Sequence, residues 1–532
     1  MCGIWALIGS RPINVWDNVH ASIAALKARG PEQNAIYQTK TSYNEVVLGF
    51  TRLAINGLTK AGDQPMHNGD LTWICNGEIY NYKDIAKRHG FPLTDGSSDC
   101  EVIGHLYAKF ADDLPTFFRA LDGVFALILV DRVRDRVVIG RDPYGVRPLY
   151  MAMDGSDYIF ASEIKALGGA SIATRAFKPG TYTVFAGPHS TEGTYHQVPF
   201  LKVPTLADQE AAERCIAEAL EAAVKKRMLT ERPVAALLSG GIDSSLIAAL
   251  VAKELRLANA PPLKTFSIGF AGSEDLRYAR MVAAWIGSEH HEIIATPDDF
   301  FAAIPEVIRT IESYDTTTVR ASVGNYLVAK AVKERSDCKV VFNGDGSDEV
   351  FGSYMYFYSA PSDEAFEAES GRLLEDIHMF DVLRSDRSIS SHGLEPRTPF
   401  LDKQFVSTSR AVATALRRPS TSQPEKWILR RAFADSGLLP NDVLWRKKEA
   451  FSDGVSGPAK LWYQEIQERV PSLTDLTPAE AERAYYESIY NKHYKDHGSP
   501  NVPYRWMPKW TNATDPSART LAAYSAAPII SK

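Results

Sequence analysis

The sequence contains no apolar run long enough to cross a bilayer, which takes about 18–20 residues; its longest stretches, such as Phe125 to Val130, fall far short. Cysteine is scarce: 5 in 532 residues, an odd number and scattered, which excludes a disulfide framework. Charge of one sign is not concentrated anywhere. With 59 basic against 65 acidic residues and a net charge of −6, no basic stripe points to nucleic acid. C-x-x-C and H-E-x-x-H are absent, and the adjacent His290-His291 has the wrong spacing for one helical face. The N-terminus lacks the basic region, apolar core and cleavage site of a secretory signal, so the sequon Asn512-Ala513-Thr514 reads as a loop. Repeats and low-complexity tracts are also absent. What is present is a globular composition, 45% hydrophobic and 23% charged, at a length that predicts two or three domains. These features together predict a soluble, cytoplasmic protein of a reducing compartment.

Over the first 200 residues, short apolar runs predict strands at Ile4–Ile8, Val46–Phe50, Leu71–Cys75, Phe125–Asp131, Val137–Ile139 and Tyr158–Ala161. Helical spacing falls at Val15–Ala28 and Cys100–Phe110, so the region reads as a layered α+β domain. A Pro- and Thr-containing segment from Pro199 places a boundary near residue 205, dividing the chain into 1–205 and 206–532. The Ala-, Glu- and Lys-rich Gln209–Arg227 follows as a helix. Beyond it, strands at Val234–Leu238, Lys264–Phe270, Glu292–Ala295 and Lys339–Phe342 alternate with helices at Leu246–Leu255 and Asp275–Ile286. Apolar strands spaced by helices predict a parallel sheet covered on both faces. The region after about 365 reads as mainly helical, and the last twenty or so residues as a surface tail.

The chain begins Met1-Cys2-Gly3, and a small residue at position two favours loss of the initiator methionine. Cys2 would then carry a thiol and a free amine, a nucleophile with its own base. Taken singly, Cys2 is as readily a small core residue. It is accompanied by Arg29-Gly30-Pro31, by Arg52-Leu53-Ala54-Ile55 and by Asn76-Gly77-Glu78-Ile79-Tyr80-Asn81. Ser98-Asp99-Cys100-Glu101, Leu121–Ala126 and Arg141–Leu149 complete the set. In this order the blocks resemble the class II glutamine amidotransferase domain, which implies an N-terminal-nucleophile sandwich (αββα). By that resemblance Cys2 attacks the glutamine amide, while Asn76 and Gly77 form the oxyanion hole. Arg52 holds the substrate α-carboxylate, and Asp99 with Glu78 receives the α-ammonium. Leu53, Ala54, Ile55 and Asn56 complete the glutamine pocket.

A second constellation, Leu238-Ser239-Gly240-Gly241-Ile242-Asp243-Ser244-Ser245, joins a strand to a helix. Its glycines and the helix N-terminus form an anion cradle without the Walker lysine, and nothing here fits G-x-G-x-x-G. It resembles the pyrophosphate loop of ATP pyrophosphatases, implying an α/β parallel-sheet domain. Further blocks are Thr265–Gly269, Tyr314–Ser322, Gly344–Glu349, Gly393–Asp402, Lys448–Gly454 and Trp506–Arg519. Together they resemble the synthetase domain of the glutamine-hydrolysing asparagine synthetase family. The resemblance implies ATP contacts at Leu238, Ser239, Gly240, Gly241, Asp243, Ser244, Ser245, Ile268, Asn343 and Gly344. It implies Mg2+ at Asp243 and Asp348, and pyrophosphate neutralisation by Lys448. Thr317, Thr318, Arg320 and Asp345 would act around aspartate and its activated form; for Arg320 the ordinary alternative is a structural ion pair.

Three positions depart from the family pattern. Asn343 and Asp345 stand where serine and glutamate are usual, and Glu32 stands where aspartate is usual. The expected reaction uses glutamine, aspartate and ATP. It passes through a β-aspartyl-adenylate and internally transferred ammonia, releases asparagine, glutamate, AMP and pyrophosphate, and a homodimer is suggested. Two rivals are an amidotransferase of this architecture acting on another carboxylate, and a non-catalytic glutamine and ATP sensor. Cys2 with the intact glutamine set weighs against the first, and intact Cys2, Asp243 and Lys448 weigh against the second.

Overall fold

The computed structural model describes residues 1–9, 16–168, 174–199, 205–471 and 475–526. The N-terminal half is built on two antiparallel six-stranded sheets. The strands, in chain order, are β1 (Gly3–Gly9), β2 (Gln33–Lys40), β3 (Glu45–Arg52), β4 (Met66–Asn68), β5 (Leu71–Ile79) and β6 (Gly123–Asp131). They continue with β7 (Arg136–Arg141), β8 (Tyr150–Asp154), β9 (Asp157–Ala161), β10 (Arg175–Ala176), β11 (Thr181–Ala186) and β12 (His189–Thr194). One sheet runs β10-β8-β9-β1-β3-β2 and the other β12-β11-β7-β6-β5-β4.

The two-residue period of β1 explains the layering. Ile4, Ala6 and Ile8 point between the sheets, against Ile74, Ala126, Ile128 and Ile139. Trp5 and Leu7 point outward to Val19 and Ile23 of the Trp16–Ala25 helix. On the far face, Trp73 and Leu127 pack under the Glu101–Phe110 and Leu114–Ala120 helices. This is the expected αββα sandwich.

The Gln209–Arg227 helix forms as its sequence predicts. Asp208 accepts from the Ala211 amide at 2.8 Å, and three basic residues fill the last turn. Beyond it lie β13 (Val234–Leu237), β14 (Lys264–Phe270), β15 (Glu289–Ala295), β16 (Val340–Phe342) and β17 (Glu395–Arg397). They form one parallel sheet, ordered β15-β14-β13-β16-β17, with helices on both faces. No described helix is long and apolar enough to cross a membrane.

Several local expectations are corrected. The helix after the glycine-rich turn starts at Ile242, four residues before Leu246, so Asp243 and Ser244 lie in its first turn. Strand β5 runs four residues past the expected Cys75 and ends at Ile79, so Asn76 and Gly77 lie within it. The exposed, polar β2 has too little apolar alternation to be read from sequence. The C-terminal segment is no surface tail: Asp515, Ser517 and Leu521 are buried. Val15, most of the 199–204 linker and residues 527–532 lie outside the described residues.

Candidate active sites

The first centre opens at the N-terminal end of β1. The Cys2 thiol donates to the Leu53 carbonyl oxygen at 3.7 Å. With Met1 attached, burial pushes the thiol up to about 11 and pulls the Met1 amine down to about 6. Cys2, Arg52, Leu53, Ala54, Ile55, Asn56, Gly77, Glu78 and Asp99 line one narrow cavity. Asn76 is off that lining but wholly buried, and neither polar atom of its side chain finds a partner among the described residues. An unpaired buried amide is costly, so this one is ready for a ligand oxygen. At Gly77 a β-carbon would stand 2.2 Å from the Val124 carbonyl oxygen, so the approach of β6 demands glycine there.

The Arg52 guanidinium is held by Asp63 and by the carbonyls of Gly57 and Thr59. Glu32 accepts from the Ala54 amide at 2.8 Å and from Arg232 at 3.1 Å, fixing the 53–55 loop. Asp99 accepts from the Ile79 amide at 2.6 Å, and burial raises it to about 6. Glu78 accepts from Asn56 at 2.5 Å. Burial, with Asp99 and Glu395 nearby, pushes Glu78 well above the ordinary carboxylate range. Two buried acids that resist ionising together make a place for a cation such as an α-ammonium group.

The second centre sits at the carboxyl ends of β13, β14 and β16, where open α/β sheets place ligands. Gly240 has φ +75°, and a β-carbon there would lie 2.5 Å from the Ala279 amide nitrogen. Across the turn, Ser239 and Ser244 hydroxyls lie 3.0 Å apart. A β-carbon on Gly344 would be 2.8 Å from the Ser244 amide nitrogen, so glycine brings the 343–345 turn against the pyrophosphate-type loop. Leu238, Ser239, Gly241, Asp243, Ser244, Ile268, Asn343 and Gly344 line a cavity, whereas Gly240 and Ser245 stand behind its wall.

Thr317, Thr318, Arg320, Asp345, Asp348 and Lys448 line the same cavity. Both threonine hydroxyls donate to Asp315, the N-cap of the Thr316–Arg335 helix, at 2.6 and 2.8 Å. Asp345 accepts from Arg384 at 3.0 Å, and Asn343 donates to Ser385 at 2.5 Å. Arg320 is engaged by Glu482 and Asp515. Lys448 reaches Asp348 at 2.6 Å.

Sequence reasoning missed Lys426. Its ammonium lies 2.5 Å from both Asp243 and Asp348, so the two carboxylates converge on one cation-sized place. Burial opposes charge on Asp348, but Lys426 and Lys448 overcome it and hold the carboxyl below the usual range. Nothing local marks this lysine, which follows a polar Ser/Thr/Gln loop. Its left-handed backbone, φ 59°, emerges only from the structure. Among the described residues, no group of three or more His, Cys, Asp or Glu converges as a metal site.

The geometry is that of a two-centre enzyme, an amide-hydrolysing thiol pocket joined to a nucleotide-activating cavity. The glutamine amidotransferase domain family matches residues 1–214, and the asparagine synthase family matches 215–371 and 360–519. Asparagine synthetase [glutamine-hydrolyzing] of Cricetulus griseus is 40% identical over 572 residues, covering 99% of this chain and all of the relative. The proteins of that name from Gallus gallus and Mus musculus are also 40% identical, with the same coverage. The chain belongs to the glutamine-hydrolysing asparagine synthetase family.

Proposed function

We propose that the chain makes asparagine from aspartate with glutamine as nitrogen donor and ATP as activator, dividing the work near residue 205. Loss of Met1 leaves Cys2 with a free amine, which takes the thiol proton as sulfur attacks the glutamine carboxamide carbon. The tetrahedral oxyanion is received by Asn76 and the Gly77 amide, and the amine passes the proton to the leaving nitrogen as the C–N bond breaks to release ammonia. Arg52 orients the α-carboxylate, while Asp99 and Glu78 receive the α-ammonium, supported by their raised affinity for protons. Water then releases glutamate from the thioester.

In the second centre an oxygen of the aspartate side-chain carboxylate attacks the α-phosphorus of ATP. The bond to the β-phosphate breaks, with charge on pyrophosphate met by Lys448, Lys426 and the Ser239–Ser244 loop. Ammonia, passed internally, attacks the acyl carbon; a proton leaves and AMP departs. Asp345, which lines the cavity, would take that proton, directly or through one water. Asp243 and Asp348 fit Mg2+, since their oxygens already share one cation and are hard donors. When bound, the ion neutralises phosphate charge. Five free thiols accord with a cytoplasmic location, and the family resemblance suggests a homodimer.

One observation carries the reading: an unpartnered buried Asn76 amide beside the Cys2 cavity, in the same chain as the pyrophosphate-type loop. Cys2→Ala should abolish glutamine-dependent synthesis and spare synthesis from ammonium salts. Persistence of glutamine-dependent synthesis in the purified variant would remove Cys2 from the chemistry.

A further inference from the structure

Beyond Gly498 the chain returns to the synthetase cavity. Trp506, Pro508, Pro516, Ser517, Ala518 and Leu521 line it, together with residues of the pyrophosphate-type loop. The segment is fastened at several points. Asp515 accepts from Arg320 Nη1 and Nη2, each at 2.8 Å, and from Gln467 at 2.8 Å. Ser517 donates to Asp453 at 3.1 Å, and Arg519 pairs with Glu449 at 3.0 Å. Tyr524 also bonds Glu449. Trp506 and Trp510 pack on Tyr356, with ring centres 6.0 and 5.9 Å away.

Arg320 is the hinge of this arrangement. Glu482 takes Nε and Nη2 at 2.7 and 2.6 Å while Asp515 takes the other edge, so four of the five guanidinium N–H groups are spent within the protein. A guanidinium gripped on two sides by carboxylates is a poor recogniser of a third. Its buried place in the cavity wall makes it an anchor. Glu449, next to Lys448, and Asp453, five residues beyond it, are two further anchors and flank Phe451.

We infer that the 498–526 segment is the outer wall of the synthetase cavity, and that Asp515 is the positioning residue that clamps it through Arg320 to keep water from the acyl-adenylate. This rests on the proposed reaction. An acyl-adenylate is a mixed carboxylic–phosphoric anhydride; if water attacks its acyl carbon in place of ammonia, the bond from that carbon to the bridging oxygen breaks. Aspartate and AMP form, and ATP is consumed without asparagine. An enclosed site suppresses that loss. The same clamp steadies the segment that carries Lys448.

The test is product stoichiometry in the full chain with glutamine, aspartate and ATP. Wild type should release one AMP per asparagine. Asp515→Asn, which removes the charge and keeps the shape, should raise that ratio at least about threefold, while ATP–pyrophosphate exchange persists. Asp515→Glu should restore much of the coupling, and trypsin should cut the variant faster after Arg505 and Lys509. Arg519→Gln loosens the segment at another point and should raise the ratio too, whether or not Asp515→Asn folds. An unchanged ratio in both variants overturns the inference. Loss of exchange together with synthesis in folded Asp515→Asn also overturns it, in favour of Arg320 acting on substrate. A wild-type chain that makes no asparagine refutes the underlying reaction instead.

Discussion

Arg397, on the last strand of the parallel sheet, places Nη2 3.5 Å from the Glu78 carboxylate at the wall of the Cys2 cavity. The same guanidinium pairs with Glu395 at 3.0 Å, itself 3.6 Å from Arg147 of the N-terminal half. One buried set of charges therefore ties the wall of the Cys2 cavity to the parallel sheet. Glu78→Gln should weaken glutamine binding without touching the synthetase cavity. A charged hydrogen bond contributes about 1.5–3 kcal/mol, so KM for glutamine should rise roughly ten- to hundredfold. Ammonia-dependent synthesis should keep its rate, and a fall in that rate equal to the glutamine effect would show that Glu78 serves the second centre.

Acid should act on the glutamine site through Asp99. Its folded pKa is about 6, raised from 3.8 by burial, whereas hydrogen bonds from Ile79 and Ser98 and the nearby Arg397 work the other way. Burial, with Asp99 and Glu395 nearby, pushes Glu78 up as well, and the charge on Asp99 is one that meets an α-ammonium group. As pH falls through 6 that charge is lost, and KM for glutamine should climb towards about tenfold per pH unit. Calorimetry near pH 6 should show proton release on glutamine binding. Proton uptake there would exclude Asp99 as the ammonium acceptor.

Lys426→Met leaves Asp243 and Asp348 facing each other with no ammonium between them. Removing one member of a buried charge set typically costs about 3–5 kcal/mol, so Tm should drop. If the paired carboxylates also accept a divalent ion, Mg2+ should raise the variant's Tm by more than the wild type's. Equal responses to Mg2+ would argue that the ion is not held there.

Asp345→Asn separates activation from amide formation. Arg384 holds this carboxylate 3.0 Å away on the cavity wall. The variant should keep ATP–pyrophosphate exchange and lose about 10²–10⁴ in asparagine formation, the usual worth of a general base. Asparagine made at the wild-type rate would remove the base role. Loss of exchange as well would assign Asp345 to activation or to the turn.

Much of this protein is written in stretches of a few residues. The alternation of Ile4, Ala6 and Ile8 determines which face of β1 enters the sandwich, and Asp208 with the Lys225–Arg227 run determines where a helix begins and ends. Glycine-rich turns and short blocks were legible for the same reason: backbone geometry and period-2 or period-3.6 patterning are local. The charges were not legible. Lys426 meets Asp243 across 183 positions of sequence, and Arg320 finds Glu482 and Asp515 across 162 and 195. A lone lysine in a polar loop, or an arginine on a helix, carries no local sign of whether it is solvated, paired or aimed at substrate. Only tertiary packing, which removes water from these groups and leaves them dependent on distant partners, decided that Lys426 stands between two carboxylates and that Arg320 clamps the C-terminal segment.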